Sequence, residues 1–313
     1  MRYSYLESLN IRPSHIGFGC WPLGGHGWGK VSEAEMVKAV HRALDLDVNI
    51  FDTAPIYGLG HSEEVLGKTL GTKRGKVIIA TKVGLTWKKG KTFEKITDSS
   101  PANINREIDD SLKRLKTDYI DLYQIHWPDP NTPIEETMSA MERLKRAGKI
   151  RCIGCCNFSL ELLKEALKYG QIKAVQIPYN LIDREVEKNL LPFCWENGIG
   201  VLTYSSIAQG LLSGKYNENT RFTPDDYRSK YKYFQGEAFL RNLTVLEKVK
   251  KVARKVNRSP VQIALRWVLQ NPSVATALVG VKNPAQVEQN VLASDFVLPE
   301  EDMKFLNEEV TCF

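Results

Sequence analysis

The sequence predicts a (β/α)8 barrel formed as a single domain over residues 1–313, and three observations carry that expectation. Short apolar runs alternate with helical patterns along the chain, which implies parallel strands joined by right-handed crossovers. No composition break or low-complexity linker divides the chain, and α/β barrels reach this size as single units. The competing open sheet needs a G-x-G-x-x-G turn, yet Gly17 and Gly19 are followed by Cys20, Trp21 and Pro22, without the third glycine. A phosphate loop fails in the same way, because the "GKT" at residues 67–69 has Ser62 where the leading glycine belongs.

Taken in order, apolar runs at 15–19, 49–52, 76–82, 119–126, 150–155, 174–178, 200–205 and 274–281 read as the eight strands. Helical patterns occupy 32–46, 62–70, 102–115, 134–147, 160–169, 186–197 and a pair between 240 and 271, with extra helices toward the C terminus. Ser32 and Glu35 have the spacing of a capping box, and Pro101 suits a first helical turn. The first eleven residues read as a short hairpin closing the bottom of the barrel. Residues 216–238, "YNENTRFTPDDYRSKYKYFQGEA", are too long and aromatic for a plain connection. They read as a cover for substrate or cofactor, or as surface.

Composition narrows the function classes. Hydrophobic content of 42% and charged content of 26% are those of a soluble globular protein. A net charge of +6 without a basic block or basic–aromatic interleaving gives no reason to expect a nucleic-acid partner. The N-terminal stretch lacks a secretory pattern, and no run is long enough to span a bilayer. Six cysteines are scattered, with Cys152, Cys155 and Cys156 close together, but a second pair at metal-ligand spacing is missing. Buried free thiols, no metal and a reduced, cytoplasmic setting are expected. The oligomeric state is not fixed by the sequence.

Catalytic groups of such barrels sit at the C-terminal ends of strands. The second strand ends in Asp52 with Tyr57 in the loop beyond it, the third in Lys82, and the fourth in His126. Each alone has a structural explanation; their coincidence on neighbouring strands points to proton delivery to a carbonyl oxygen. A free tyrosine has a pKa of about 10, and a cation within about 4–6 Å lowers a neighbouring acid by roughly 1–3 pH units. Lys82 is expected to do this to Tyr57, Asp52 to hold the ammonium, and His126 to orient the substrate oxygen. None of these groups supplies electrons, so reduction implies a hydride-donating cofactor.

The motifs "FDTAPIYG", "ATK", "YQIHWPD", "KIRCIGCCNF", "VQIPYN", "TYSSIAQGLLSGKY" and "GVKNPAQVEQN" run in order along nearly the whole chain. On these motifs the sequence resembles the aldo-keto reductases, in particular the bacterial branch similar to potassium-channel beta subunits. The resemblance implies a (β/α)8 barrel, NADP(H), and a tetrad on Asp52, Tyr57, Lys82 and His126, with a small carbonyl or alcohol as substrate. It further implies that Asn157 and Gln176 bind the nicotinamide carboxamide and Tyr204 stacks on the ring. Ser205, Ser206, Gln209, Gly210, Leu211, Ser213 and Lys215 would wrap the pyrophosphate. Lys282 would pair with the ribose 2′-phosphate, preferring NADP(H) without excluding NAD(H). Gln286, Gln289 and Asn290 would meet the adenine, and Gly19, Cys20, Trp21, Cys156 and Gly280 complete the expected contacts.

The chain departs from the family pattern at Cys156, where serine is frequent, at Cys20 for threonine, and at Ser206 for proline. The last is expected to loosen its loop, and the thiol at 156 to weaken one carboxamide contact. Trp21, Trp87 and Trp127 are candidate substrate walls, with Trp28 divided between pocket and packing. Two other readings stay open at this point: a nucleotide-sensing module with little turnover, and a Schiff-base lyase using Lys82.

Overall fold

The computed structural model describes residues 1–4, 12–25, 31–87, 95–224 and 226–308. Its strands are β1 (Ile16–Gly19), β2 (Ile50–Asp52), β3 (Ile78–Val83), β4 (Leu85–Trp87), β5 (Lys95–Thr97), β6 (Ile120–Ile125), β7 (Ile150–Cys156), β8 (Ile172–Pro178), β9 (Gly200–Tyr204) and β10 (Val274–Gly280). Eight of them close a parallel barrel in the order β1-β10-β9-β8-β7-β6-β3-β2, while β4 and β5 form a separate antiparallel pair. Around the barrel run α1 (Glu33–Asp45), α2 (His61–Leu70), α3 (Pro101–Leu115), α4 (Ile134–Arg146), α5 (Leu160–Ala166), α6 (Leu190–Glu196), α7 (Gly236–Lys255), α8 (Pro260–Leu269), α9 (Pro284–Val291) and α10 (Glu300–Asn307). The expected (β/α)8 architecture is therefore present.

The two-residue period of the strands divides the core and sets up the site. Phe51, Ile79, Tyr123, Ile153, Val175 and Val201 belong to the large apolar core that includes the helices. Their neighbours face inward, where Ile50, Ile78, Ala80, Leu122, Cys152, Ala174, Leu202 and Leu278 form a second cluster. Two residues further along five of these strands, the same inward parity gives Asp52, Lys82, Gln124, Gln176 and Tyr204. One step toward the C-terminal ends thus changes the filling from hydrocarbon to hydrogen-bonding groups.

Several local expectations are refined. Ser32 caps α1 by accepting from Glu35 N, but the Glu35 carboxylate pairs with Lys38 at 2.8 Å, so only half of the capping box forms. A complete box sits instead at Ser259 and Gln262, at the start of α8. Pro101 does open α3, with Ser100 as the cap. The N-terminal hairpin appears as an antiparallel bridge between Tyr3 and Ser14, and the intervening residues 5–11 lie outside the described ones. Five cysteines, Cys20, Cys152, Cys155, Cys156 and Cys194, are buried and free. Among the described residues no helix is long and apolar enough to cross a membrane.

Candidate active site

The four chemical groups predicted from strand ends meet at one place. Lys82 Nζ donates to Asp52 Oδ1 at 2.7 Å, to the Thr53 carbonyl at 2.9 Å and to Tyr57 Oη at 3.3 Å. With Lys82 1% exposed, those three acceptors use its whole donor capacity, which is what a buried ammonium requires. His126 lies immediately beyond β6, its N–H bonded to the Val83 carbonyl and its ring edge-on to Tyr57 at 6.1 Å. The barrel itself causes this convergence: Asp52 pairs in register with Ala80, and Lys82 with Gln124.

Electrostatics fix the protonation states. Burial works against the Lys82 ammonium, but Asp52 outweighs it, aided by Tyr57 and Cys156, and the pKa is raised. Lys82 therefore stays charged and is a poor amine nucleophile, which removes the physical basis of the lyase reading. For Tyr57, burial pushes the phenol up to about 12, with Lys82 pulling it down and Asp52 pushing it up. Lys82 does act in the expected direction, yet desolvation wins, so the phenol lies above its ordinary value rather than below it. At neutral pH it carries its proton.

Tyr57 is placed by a tight backbone contact. Gly58 follows it with φ +64°, and a Cβ there would stand 2.3 Å from the Gly24 carbonyl oxygen. The Tyr57 loop is thereby seated on the turn Trp21–Gly24. Trp21 stacks on Tyr57 at 6.0 Å and receives Tyr227 edge-on at 5.5 Å. The long 216–238 segment, read from the sequence as a cover or as surface, thus reaches the candidate site through Tyr227, a residue that reading did not single out. The alternating aromatics of that segment were its signal. Trp127 is half-exposed beside His126, Trp28 lies outside the described residues, and Trp87 contributes its backbone to β4.

The residues expected at the nicotinamide are present at the barrel mouth but engage protein groups. Asn157, at φ +61°, donates to the His126 carbonyl at 3.1 Å and accepts from Tyr204 Oη at 2.7 Å. Gln176 donates to Asp52 Oδ2 at 2.7 Å. Cys156 is buried and directs its thiol to Gln124 Oε1 at 3.7 Å. Cys20 is buried, with its N–H on the Asp52 carbonyl and its thiol toward the Phe18 carbonyl. Gly19 and Gly280 pair in register between β1 and β10.

The loop after β9 fits a phosphate group. Ser205, Ala208, Gln209, Gly210 and Gly214 all have positive φ, the left-handed backbone form that occurs in anion-binding nests, although the Ala208 and Gly210 amides are already bonded to the Ser205 and Ile207 carbonyls. Ser213 Oγ is buried without a hydrogen-bond partner, the kind of orphaned donor a phosphate oxygen would satisfy. Gln209 closes onto Ser205 Oγ at 2.7 Å. The Leu211 side chain is fully buried in the apolar core and the buried Ser206 hydroxyl pairs with Thr203 at 3.0 Å, so any contact of these two residues with a phosphate falls to their backbone.

Next to this loop lies a cavity of about 570 Å³ lined by Lys215, Gln262, Asn283, Ala285, Gln286, Glu288, Gln289 and Leu292. Lys215, Gln286 and Gln289 are among its predicted residues, whereas Asn290 is buried beneath. The Lys282 pKa is lowered, by burial first and then by Arg228 and Lys215, with Asp226 opposing. Arg228, held by Asp226 and by Tyr216 Oη, therefore adds a cation that sequence reasoning had not assigned.

The aldo/keto reductase family profile matches residues 15–310. An aldo-keto reductase of Bacillus subtilis (strain 168) is 41% identical over 310 residues, covering 98% of this chain and 93% of that protein. The NADH-specific methylglyoxal reductase of Escherichia coli (strain K12) is 35% identical, covering 97% and 96%. The solved glycerol dehydrogenase of Gluconobacter oxydans superposes with a TM-score of 0.90 at 38% identity, covering 97% of this chain and 94% of that one.

Proposed function

The chain belongs to the aldo/keto reductase family of NADP(H)-linked oxidoreductases, and from that premise we propose that Tyr57 is its proton donor in carbonyl reduction. The observation that carries the reading is Lys82 Nζ held between Asp52 and Tyr57 Oη, at 2.7 and 3.3 Å. A phenol that keeps its proton across neutral pH is a donor to a developing alkoxide, and the adjacent ammonium stabilises the tyrosinate left behind. His126, edge-on to Tyr57, is placed to hydrogen-bond the same substrate oxygen. In oxidation the roles reverse and the tyrosinate accepts the alcohol proton.

NADP(H), when bound, supplies or accepts the hydride. Residues 205–215 would hold its pyrophosphate, and Gln286 and Gln289 its adenine. Lys282, with Lys215 and Arg228 near it, would hold the 2′-phosphate. That cluster of cations supports NADP(H) over NAD(H) here, although the Escherichia coli relative is named for NADH. Trp21, Tyr227 and Trp127 would wall the substrate, with Trp87 as a further candidate. Small oxo- and hydroxy-compounds head the screen, because two relatives are named for methylglyoxal and glycerol. The buried free thiols favour a reducing cytoplasm. Titration with NADPH and NADH by tryptophan quenching tests the cofactor assignment, with tight NADPH and weak NADH binding expected. Failure to bind either would overturn it.

A further inference from the structure

We propose that Gln124 is a positioning residue of this reaction, acting through Asp52 to fix the carboxylate that holds Lys82. The inference rests on the reading of Tyr57 as proton donor. Gln124 follows Leu122 of the inner apolar cluster on the inward parity of the strand "IDLYQI", and is fully buried. A buried carboxamide is costly unless its groups are paired, and these are. Its Nε2 donates to Asp52 Oδ2 at 3.3 Å, and its Oε1 accepts from Gln176 Nε2 at 3.4 Å and from Cys156 Sγ at 3.7 Å.

The direction of these bonds is forced. A carboxylate paired with an ammonium only accepts, so Gln124 must turn its NH2 to Asp52 and its carbonyl away. The two oxygens of Asp52 are then divided, with Oδ1 on Lys82 and Oδ2 on the two glutamine amides. Rotating the carboxylate would strand buried donors on one side or the ammonium on the other. Gln124 sits opposite Lys82 in the β3–β6 register, so one pair of neighbouring strands sets both contacts to Asp52. The family resemblance gives Gln176 a second possible partner in the nicotinamide carboxamide. With Gln176 turned to it, Gln124 is the amide that remains on Oδ2 among the described residues.

The test is Gln124→Met, which keeps the length and removes both hydrogen-bonding groups, in the full-length enzyme assayed in both directions. Loss of one such bond predicts a fall of about 2- to 12-fold in kcat for alcohol oxidation, with KM and NADPH affinity unchanged. The rise of oxidation with pH should move to higher pH, because a less firmly held Lys82 lowers the Tyr57 pKa less. In an Asp52→Asn background the same substitution should have no further effect on single-turnover rate. An unshifted pH profile, or equal losses in both backgrounds, would overturn the proposal. Gln124→Leu provides the same comparison if the methionine variant does not fold, as judged by thermal unfolding. Activity retained by Tyr57→Phe would instead defeat the functional reading, whatever Gln124 does.

Discussion

Replacing Lys82 by methionine separates the structural and chemical roles of the buried ion pair. Three bonds vanish together: 2.7 Å to Asp52, 2.9 Å to the Thr53 carbonyl and 3.3 Å to Tyr57. Removing one partner of a buried ion pair costs about 3–5 kcal/mol, chiefly because the other charge is left behind. Asp52 Oδ2 keeps two amide donors, at 2.7 and 3.3 Å, which puts the expected loss at the lower end, about 3 kcal/mol. For a chain of this size that corresponds to a fall in Tm of about 5–10 °C. The variant should therefore remain folded at 25 °C.

Its chemistry should suffer more. A charge-assisted hydrogen bond is worth about 1.5–3 kcal/mol, so losing the one to Tyr57 slows turnover by at least about 10- to 150-fold. Tyr57 also loses the cation that offsets burial, so its pKa climbs further. Oxidation, which needs the tyrosinate, should fall further than reduction. Single-turnover hydride transfer followed by NADPH absorbance, beside a thermal melt and an NADPH titration, reads the three quantities separately. A folded Lys82→Met variant within about threefold of wild type in both directions would refute this reasoning.

Lys282→Ala should weaken NADPH binding by about 10- to 150-fold and leave NADH binding nearly unchanged, as read by fluorescence titration with each cofactor. Equal losses for both cofactors would remove the 2′-phosphate assignment. Tyr227→Ala takes an aromatic edge off Trp21 and should raise KM for the substrate more than it lowers kcat in steady-state assays. Glu107 accepts from Gly84 N and Asn103 Nδ2, and burial raises its carboxyl to about 7. Between the ordinary carboxyl range and that value, the folded protein holds a proton that the unfolded chain has released. Its stabilising contribution is thus full below about pH 4.5 and lost as pH rises through about 7, by at most ~3 kcal/mol. Glu107→Gln should flatten that slope and raise Tm above wild type at alkaline pH, measured by melts across the range.

Much of this architecture was legible because strand ends are conspicuous in sequence. Asp52, Lys82 and His126 each terminate an apolar run, so barrel topology alone brings them together. Tyr57 needed more, since its position depends on Gly58 meeting Gly24, a contact between segments far apart in sequence. Gln124 lies inside an apolar run, two residues before His126, and reading only the run's end passed over it. The inward parity of β6 would have exposed it. The pair β4–β5 was missed because three-residue strands carry almost no periodic signal. The Tyr57 pKa eluded the sequence for another reason: proximity to Lys82 is predictable from topology, but the desolvation that opposes it depends on full packing around the phenol.

The most direct test of the account is Tyr57→Phe, which deletes one oxygen and leaves Lys82 its bonds to Asp52 and the Thr53 carbonyl. Single-turnover carbonyl reduction and NADPH affinity should be measured on the same folded preparation. Loss of the general acid predicts a fall of about 10²- to 10⁴-fold in reduction with NADPH affinity near wild type. Reduction at a near-normal rate would contradict the assignment of Tyr57 as proton donor.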